Sequence, residues 1–178
     1  MTTLSFWTIP KDSAMQKLTS QDIRSCFINA SRSEVAKLSL PKNFESLPWD
    51  EMDLLGWRED KMPLRGYLIL PRPSGLAGII LRAPDGGPRK NRSVLCELCR
   101  AVFSKADVML WVAKRAGKSG RDGNTVGTLI CADFVCCANV RVEPPANEIN
   151  PDPAEVVKRQ IKGMVARAEQ FLDRVSGQ

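Results

Sequence analysis

Residues 96–137 read CELCRAVFSKADVMLWVAKRAGKSGRDGNTVGTLICADFVCC, and the positions of the cysteines in this stretch decide the fold. Cys96 and Cys99 form a CxxC pair, and after a gap of 31 residues Cys131 and Cys136 form a CxxxxC pair. Two thiolates separated by two residues can be turned toward one ion, and a second short-spaced pair completes a tetrahedron. The spacing therefore predicts one closed, structural tetrathiolate zinc site. Cys137 adjoins Cys136, and neighbouring residues point to different sides, so only one of the two faces the same ion. Spacing alone leaves that choice open. Cys26 has no thiol near it in sequence and reads as a small buried apolar residue rather than a fifth ligand.

The rest of the chain supports metal over disulfides. MTTLSFWTIPK, at the start, lacks a cationic segment followed by the apolar stretch of a secretory signal, and no apolar run approaches the length of a membrane span. A reduced, cytoplasmic setting is expected, where clustered cysteines more often hold metal than cross-link. The 178 residues contain no histidine, which removes the commonest general base. With a saturated metal and no nucleophile constellation, the chain is not expected to be an enzyme, nor to take a small-molecule substrate. A hydrophobic content of 43% is ordinary for one globular domain. The net charge of +6, from 26 basic and 20 acidic residues, favours an acidic or polyanionic partner.

Outward from the cysteines, DVMLWVAKR (107–115) and TVGTLIC (125–131) read as two strands of a hairpin. ADFVCCANVRV (132–142) reads as a short helix whose first turn carries Cys136, where the free N–H groups of a helix start favour a thiolate. Knuckle, hairpin and helix in this order predict a treble-clef zinc finger over about 88–142. Upstream, GYLILP (66–71) and LAGIILRAP (76–84) pair as another hairpin around Arg72, Pro73, Ser74 and Gly75. A helix starts near Thr19 with Asp22 three residues on, bringing Ile23 and Phe27 to one face. SRSEVAKLSLP (31–41) reads as a second helix stopped by Pro41, and PWDEMDLLGW (48–57) as a turn and helical segment ending at Gly56. Trp49 and Trp57 are expected in the core. Residues 1–16 read as a tail or docking strand in which Phe6 and Trp7 pack on the body. After the Pro-rich connector 143–153, Val157, Ile161, Met164, Val165, Ala168, Phe171, Leu172 and Val175 recur at helical spacing, predicting an amphipathic C-terminal helix over about 153–175 that docks on the body. The class is α+β: N-terminal helices, antiparallel β-hairpins, a treble-clef zinc finger and that last helix.

Cations are densest in KRAGKSGRDGN (114–124), where Lys114, Arg115, Lys118 and Arg121 sit among Gly117, Gly120 and Gly123. The order is not that of a P-loop. Glycines here serve either close approach to a phosphate or tight turns, and the cations either offset the negative metal site or face an acidic partner.

The chain resembles the elongation factor G-binding proteins of the fusidic acid resistance (FusB) type. The resemblance is carried by CELC, by AKRAGKSGRDGNTVGTLICADFVC, by LPWDEMDLLGWRE and, more loosely, by SRSEVAKLSLP, and it spans roughly residues 17–175. It implies the ligand set Cys96, Cys99, Cys131 and Cys136 with Cys137 a bystander, one structural zinc, and a single elongation factor G-binding domain over 17–178. It also implies a partner, elongation factor G, whose release from the ribosome the protein promotes without a covalent step. Lys114, Arg115, Lys118 and Arg121, with Asn124 as a hydrogen-bonding neighbour, are the expected contacts. The alternative is an RNA- or ribosome-binding zinc module, its ligand being ribosomal RNA or the ribosome itself, with Trp111 as a stacking platform provided that it faces outward. No membrane partner is expected.

Overall fold

The computed structural model describes residues 15–86, 94–102, 104–149 and 152–177. The tail 1–14, with Phe6 and Trp7, most of the 85–92 loop and the start of the expected zinc finger at 88 lie outside them.

The architecture is α+β, built on one five-stranded antiparallel sheet in sequential order: β1 (Leu55–Arg58), β2 (Arg65–Arg72), β3 (Gly75–Arg82), β4 (Val108–Lys114) and β5 (Thr125–Cys131). Side chains alternate across a strand, and here both faces are covered. Leu68, Leu70, Ile79 and Leu81 point into one buried cluster, which they share with the four paired cysteines and the C-terminal helix. Tyr67, Ile69 and Ile80 point into a second cluster with Ile23, Trp49 and Trp57. Burial on both faces explains why β2 and β3 are almost continuously apolar rather than alternating.

The N-terminal face is covered by two short helices, each started by a capping box. Helix α1 (Ser20–Ser25) is capped by Thr19, whose hydroxyl accepts from the Asp22 N–H while the Asp22 carboxylate accepts from Thr19. Helix α2 (Arg32–Ala36) repeats the device with Ser31 and Glu34, and it ends well before Pro41. Ile23 is buried as expected, but α1 stops before Phe27. That residue instead forms a parallel bridge with Gly78 and meets the Tyr67 ring edge-on at 5.9 Å. Met15 is buried and its N–H donates to the Met52 carbonyl.

One segment departs from its sequence reading. PWDEMDLLGW is not helical up to Gly56: only Trp49–Glu51 makes a 3-10 turn, and the chain extends from Leu55 as β1. Pairing of Trp57 with Tyr67 and of Gly56 with Leu68 overrides the local helical preference. Trp57 then stacks on Tyr67 at 4.6 Å, and both Trp49 and Trp57 are core residues.

β3 and β4 share a single register pair, Arg82 with Val112. The edge that this leaves on β3 is closed by the chain after α1. Gly78 exchanges backbone hydrogen bonds with Cys26 and Ile28, and the Asn29 carboxamide acts as a surrogate peptide. Its oxygen accepts from the Ile80 N–H at 2.8 Å, and its nitrogen donates to the carbonyls of Ile80 (3.1 Å) and Lys114 (3.0 Å). Cys26 lies over Gly78, where an added Cβ would come within 2.7 Å of its sulfur. Burial pushes that thiol up to about 12, as suits an inert packing group.

The last helix, α5 (Pro153–Ser176), starts on an Asp152 cap and ends at Gly177 in the left-handed region. Met164, Ala168, Phe171, Leu172 and Val175 are fully buried, so the stripe is used within the chain. Among the described residues no helix is long and apolar enough to cross a membrane.

Candidate metal centre and the basic loop

Two turns present the thiols. In the first, the Arg100 N–H donates to the Cys96 carbonyl and Arg100 takes a φ of 52°. In the second, the Phe134 N–H donates to the Cys131 carbonyl and Phe134 takes a φ of 56°. The first turn hangs from the sheet through the Glu97 N–H, which donates to the Leu129 carbonyl at 2.8 Å. Cys131 ends β5, and Cys136 opens the short helix α4 (Cys136–Val140). The sulfurs of Cys96, Cys99, Cys131 and Cys136 are buried and lie within 4.8 Å of one another.

The spacing fits zinc. With Zn–S bonds of about 2.3 Å, tetrahedral geometry puts sulfurs about 3.8 Å apart. Cys96 to Cys136 and Cys99 to Cys131 are both 3.7 Å, far beyond a disulfide bond. Proton chemistry agrees. Hydrogen bonds from Cys131 and then Cys136 pull Cys99 well below the ordinary thiol range and Cys96 down to about 7. Cys136 is pushed far up by its hydrogen bonds to Cys131, Cys96 and Cys99 and by burial. Four thiols this close cannot all ionise without a cation, and a dication is what the set is shaped to hold.

The surroundings favour the charged cluster. The Asn139 amide, one turn along α4, donates to Cys131 Sγ at 3.4 Å and reaches Cys99 Sγ at 3.8 Å. Arg167 on α5 donates from Nε to the Leu98 carbonyl at 2.8 Å, placing a cation beside a site whose formal charge is about −2 with zinc bound. Cys137 faces away: its thiol donates to the Leu54 carbonyl at 3.4 Å, and burial pushes its pKa up.

Phe134 fastens the second turn to the sheet. Its ring lies over Gly56 and Gly66, where an added Cβ would come within 2.7 Å of the ring or its Cβ, and it packs on Trp111 at 4.9 Å. These two glycines make the slot. Trp111 is fully buried, so it offers no face to a base and the stacking platform of the RNA reading falls away. Asn139, Arg167 and Phe134 were all missed in the sequence. Only Phe134, inside the CADFVC run, carried any signal there, and nothing local marked its glycine partners.

The 114–124 loop is more ordered than a glycine-rich loop suggests. It contains a short helix, α3 (Gly117–Arg121). Gly117 and Gly123 have φ of 65° and 91°, and a Cβ on Gly120 would lie 1.7 Å from the Arg115 carbonyl oxygen. Turn geometry thus accounts for all three glycines. The loop is closed by the Arg115 N–H donating to Asn124 and is tied to α5 by the Ala116 N–H donating to Val175. Lys114, Lys118, Arg121 and Asn124 are exposed and Arg115 is half-buried. The Asn124 amide is engaged with Ser119 Oγ at 3.1 Å. Among the described residues none of the four cations has a carboxylate within ion-pairing distance. They lie at the start of β5 and the metal site at its end, about 20 Å of strand apart.

A family model described as the FBP C-terminal treble-clef zinc-finger matches residues 22–175. Among curated proteins no match is found. A solved structure, that of the fusidic acid resistance protein FusC, aligns at 20% identity with a TM-score of 0.46. The alignment covers 74% of this chain and 53% of FusC, so the chain spans about half the length of that protein. With a four-cysteine cluster of zinc dimensions and a family match running over most of its length, the chain belongs to the FBP C-terminal treble-clef zinc-finger family and carries one structural zinc.

Proposed function

We propose that this protein binds elongation factor G through its zinc-finger face and promotes release of the factor from the ribosome, as in fusidic acid resistance of the FusB type. Residues 17–178 act as one binding domain. The observation that carries the reading is the 114–124 loop: four cations with no carboxylate at ion-pairing distance among the described residues, Lys114 acting only at longer range on Glu34, on a loop braced by its glycines, by Asn124 and by α5. A braced, unpaired cationic surface loses little side-chain and loop entropy on meeting an acidic one. Lys114, Arg115, Lys118 and Arg121 are the contacts, and Asn124 holds the loop in shape.

The action is mechanical. A binder that favours the released conformation of the factor shifts its population, and no bond is made or broken. Zinc serves as a strut: Cys96, Cys99, Cys131 and Cys136 saturate it and leave no position for substrate.

Calorimetric titration of the zinc-loaded protein with purified elongation factor G, at physiological salt, tests this. Saturable one-to-one binding is expected, weakened at least about tenfold by alanine at all four cations, with zinc content and thermal midpoint nearly unchanged. Unaltered affinity in that variant removes the loop from the interface. Absence of any complex with the wild-type protein sinks the partner assignment.

A further inference from the structure

A second cationic surface lies between the zinc knuckle and α5. It is an open cleft of about 520 Å³. Leu98 and Phe171, both buried, form its floor, and Thr128 on β5, also buried, lines it. Its rim carries three guanidinium groups, those of Arg100, Arg167 and Arg174. Arg167, Phe171 and Arg174 follow each other at helical spacing, so they share one face of α5, with the two arginines about 10 Å apart along its axis.

These arginines have unused capacity. Arg167 donates to the Leu98 carbonyl through Nε, and among the described residues its other guanidinium nitrogens have no hydrogen-bond partner. Arg174 makes a cation–π contact with Phe171, at 5.5 Å from the ring centre, and has no carboxylate partner among the described residues. Among the described residues Arg100 meets only Glu97, at 3.3 Å, with both side chains more than half exposed, a contact of little strength in water. The other carboxylate at the cleft, Asp173, is taken by Arg72 from the β2–β3 hairpin. Like charges facing one cleft, with donors to spare, suit an anion between them.

We propose that this cleft binds an extended acidic segment of a protein partner, its carboxylates bridging Arg100, Arg167 and Arg174 over the Leu98–Phe171 floor. Guanidinium pairs with carboxylate through two parallel hydrogen bonds, and the 10 Å between Arg167 and Arg174 is the reach of about three residues of extended chain. Single-stranded nucleic acid fits less well, because among the described residues every aromatic ring is buried or half-buried and none is free to stack a base. The Ala116–Val175 hydrogen bond brings the C-terminal end of α5 to the 114–124 loop. This inference extends the elongation factor G reading without depending on it, since the assay below addresses the cleft alone.

The probe is a fluorescent hexaglutamate peptide titrated with the zinc-loaded full chain at physiological ionic strength, where charges more than about 8 Å away are screened, and followed by anisotropy. Saturable binding is expected. The double variant Arg100→Ala/Arg174→Ala, both on exposed side chains, should weaken it about fivefold, the loss expected of two surface ion pairs, with zinc content and thermal midpoint unchanged. Arg167→Lys, which keeps the charge but not the planar fork, should weaken it as well. The quadruple alanine variant of the 114–124 loop should bind within about twofold of the wild type. The proposal is overturned by absence of binding, by equal affinity in the double variant, by a loss in the loop variant matching that in the cleft variant, or by tighter binding of hexauridylate than of hexaglutamate. Failure here with an intact factor titration removes the cleft and leaves the translation-factor reading in place; the reverse pattern leaves the cleft.

Discussion

Helix α4 on one face of the sheet and helices α1 and α2 on the other are all five or six residues long, yet they are secured by different means. A helix this short does not hold by itself, because its nucleation cost is never recovered by propagation. On the N-terminal face, Thr19 with Asp22 and Ser31 with Glu34 satisfy the orphan N–H groups from within four residues. The N-cap of α4, Val135, has no side chain that can do this. Its first residue, Cys136, is instead a member of the thiol cluster, and the ion that the cluster is built to hold ties it to a knuckle forty residues upstream. Caps secure a helix locally and additively. A metal secures several elements at once, so its loss is collective.

The largest effect should come from breaking the metal. Cys96→Ser, or chelation of the wild type, should release zinc and unfold the knuckle, α4 and the α5 contact together. Structural zinc in small fingers contributes on the order of 10 kcal/mol, more than most domains have to spare. Cys137→Ser should keep stoichiometric zinc, since that thiol faces Leu54. Metal analysis with near-ultraviolet circular dichroism checks both, and zinc retained in the first variant or lost in the second would refute the ligand set.

Phe134→Ala should cost about 3–5 kcal/mol, the loss of a buried ring together with the slot left over Gly56 and Gly66. The backbone bond that closes the turn, from the Phe134 N–H to the Cys131 carbonyl, does not involve the ring, so zinc content should persist while the denaturation midpoint falls. Zinc loss in this variant would mean that the sheet shapes the site more than the ion does.

The smallest effects belong to the caps. Thr19→Ala and Ser31→Ala should each cost about 1 kcal/mol and add in the double variant. Hydrogen bonds to their capping partners lower both the Asp22 and Glu34 carboxyls, through the Thr19 side chain first in one case and the Ser31 backbone first in the other. A lowered folded-state pKa gives stability that is present above the unfolded carboxyl value and disappears as pH falls through the folded one. The penalty of Thr19→Ala, measured by denaturant titration, should therefore shrink between pH 7 and pH 3, whereas Ser31→Ala keeps the backbone N–H that chiefly lowers Glu34, so its penalty should change less. A Thr19→Ala penalty that does not change over that range would detach the Asp22 carboxylate from the cap.

Much of the site was legible because its signals are short. The CxxC and CxxxxC spacings, the two strands between them and the helix opening at Cys136 all appear as read, and so does the Thr19 cap; the hairpin over 65–82 forms too, but Arg72 and Gly75, read as turn residues, pair as strand and leave Pro73 and Ser74 as the turn. Gly56 misled because a glycine after a polar, helix-compatible run reads as a stop, whereas here it makes room for a ring almost eighty positions away. The loop glycines likewise left two meanings open, and the 1.7 Å approach at Gly120 shows the turn to be sufficient.

Local geometry was enough to specify the metal, the ligand spacing, the strand pairs joined by short turns and the amphipathic last helix, since each rests on residues close together in the chain. What joins these pieces was settled by folding in three dimensions. Asn29 bridges β3 and β4 from 51 and 85 residues away, Arg167 reaches the knuckle over 69, and Phe134 finds its slot across the sheet. Such contacts use single side chains with no periodicity or spacing, and chain folding alone brings their partners together. The outward cations of the loop and the arginines of the cleft belong to the same class, because whether a charge is already paired depends on what the fold sets beside it.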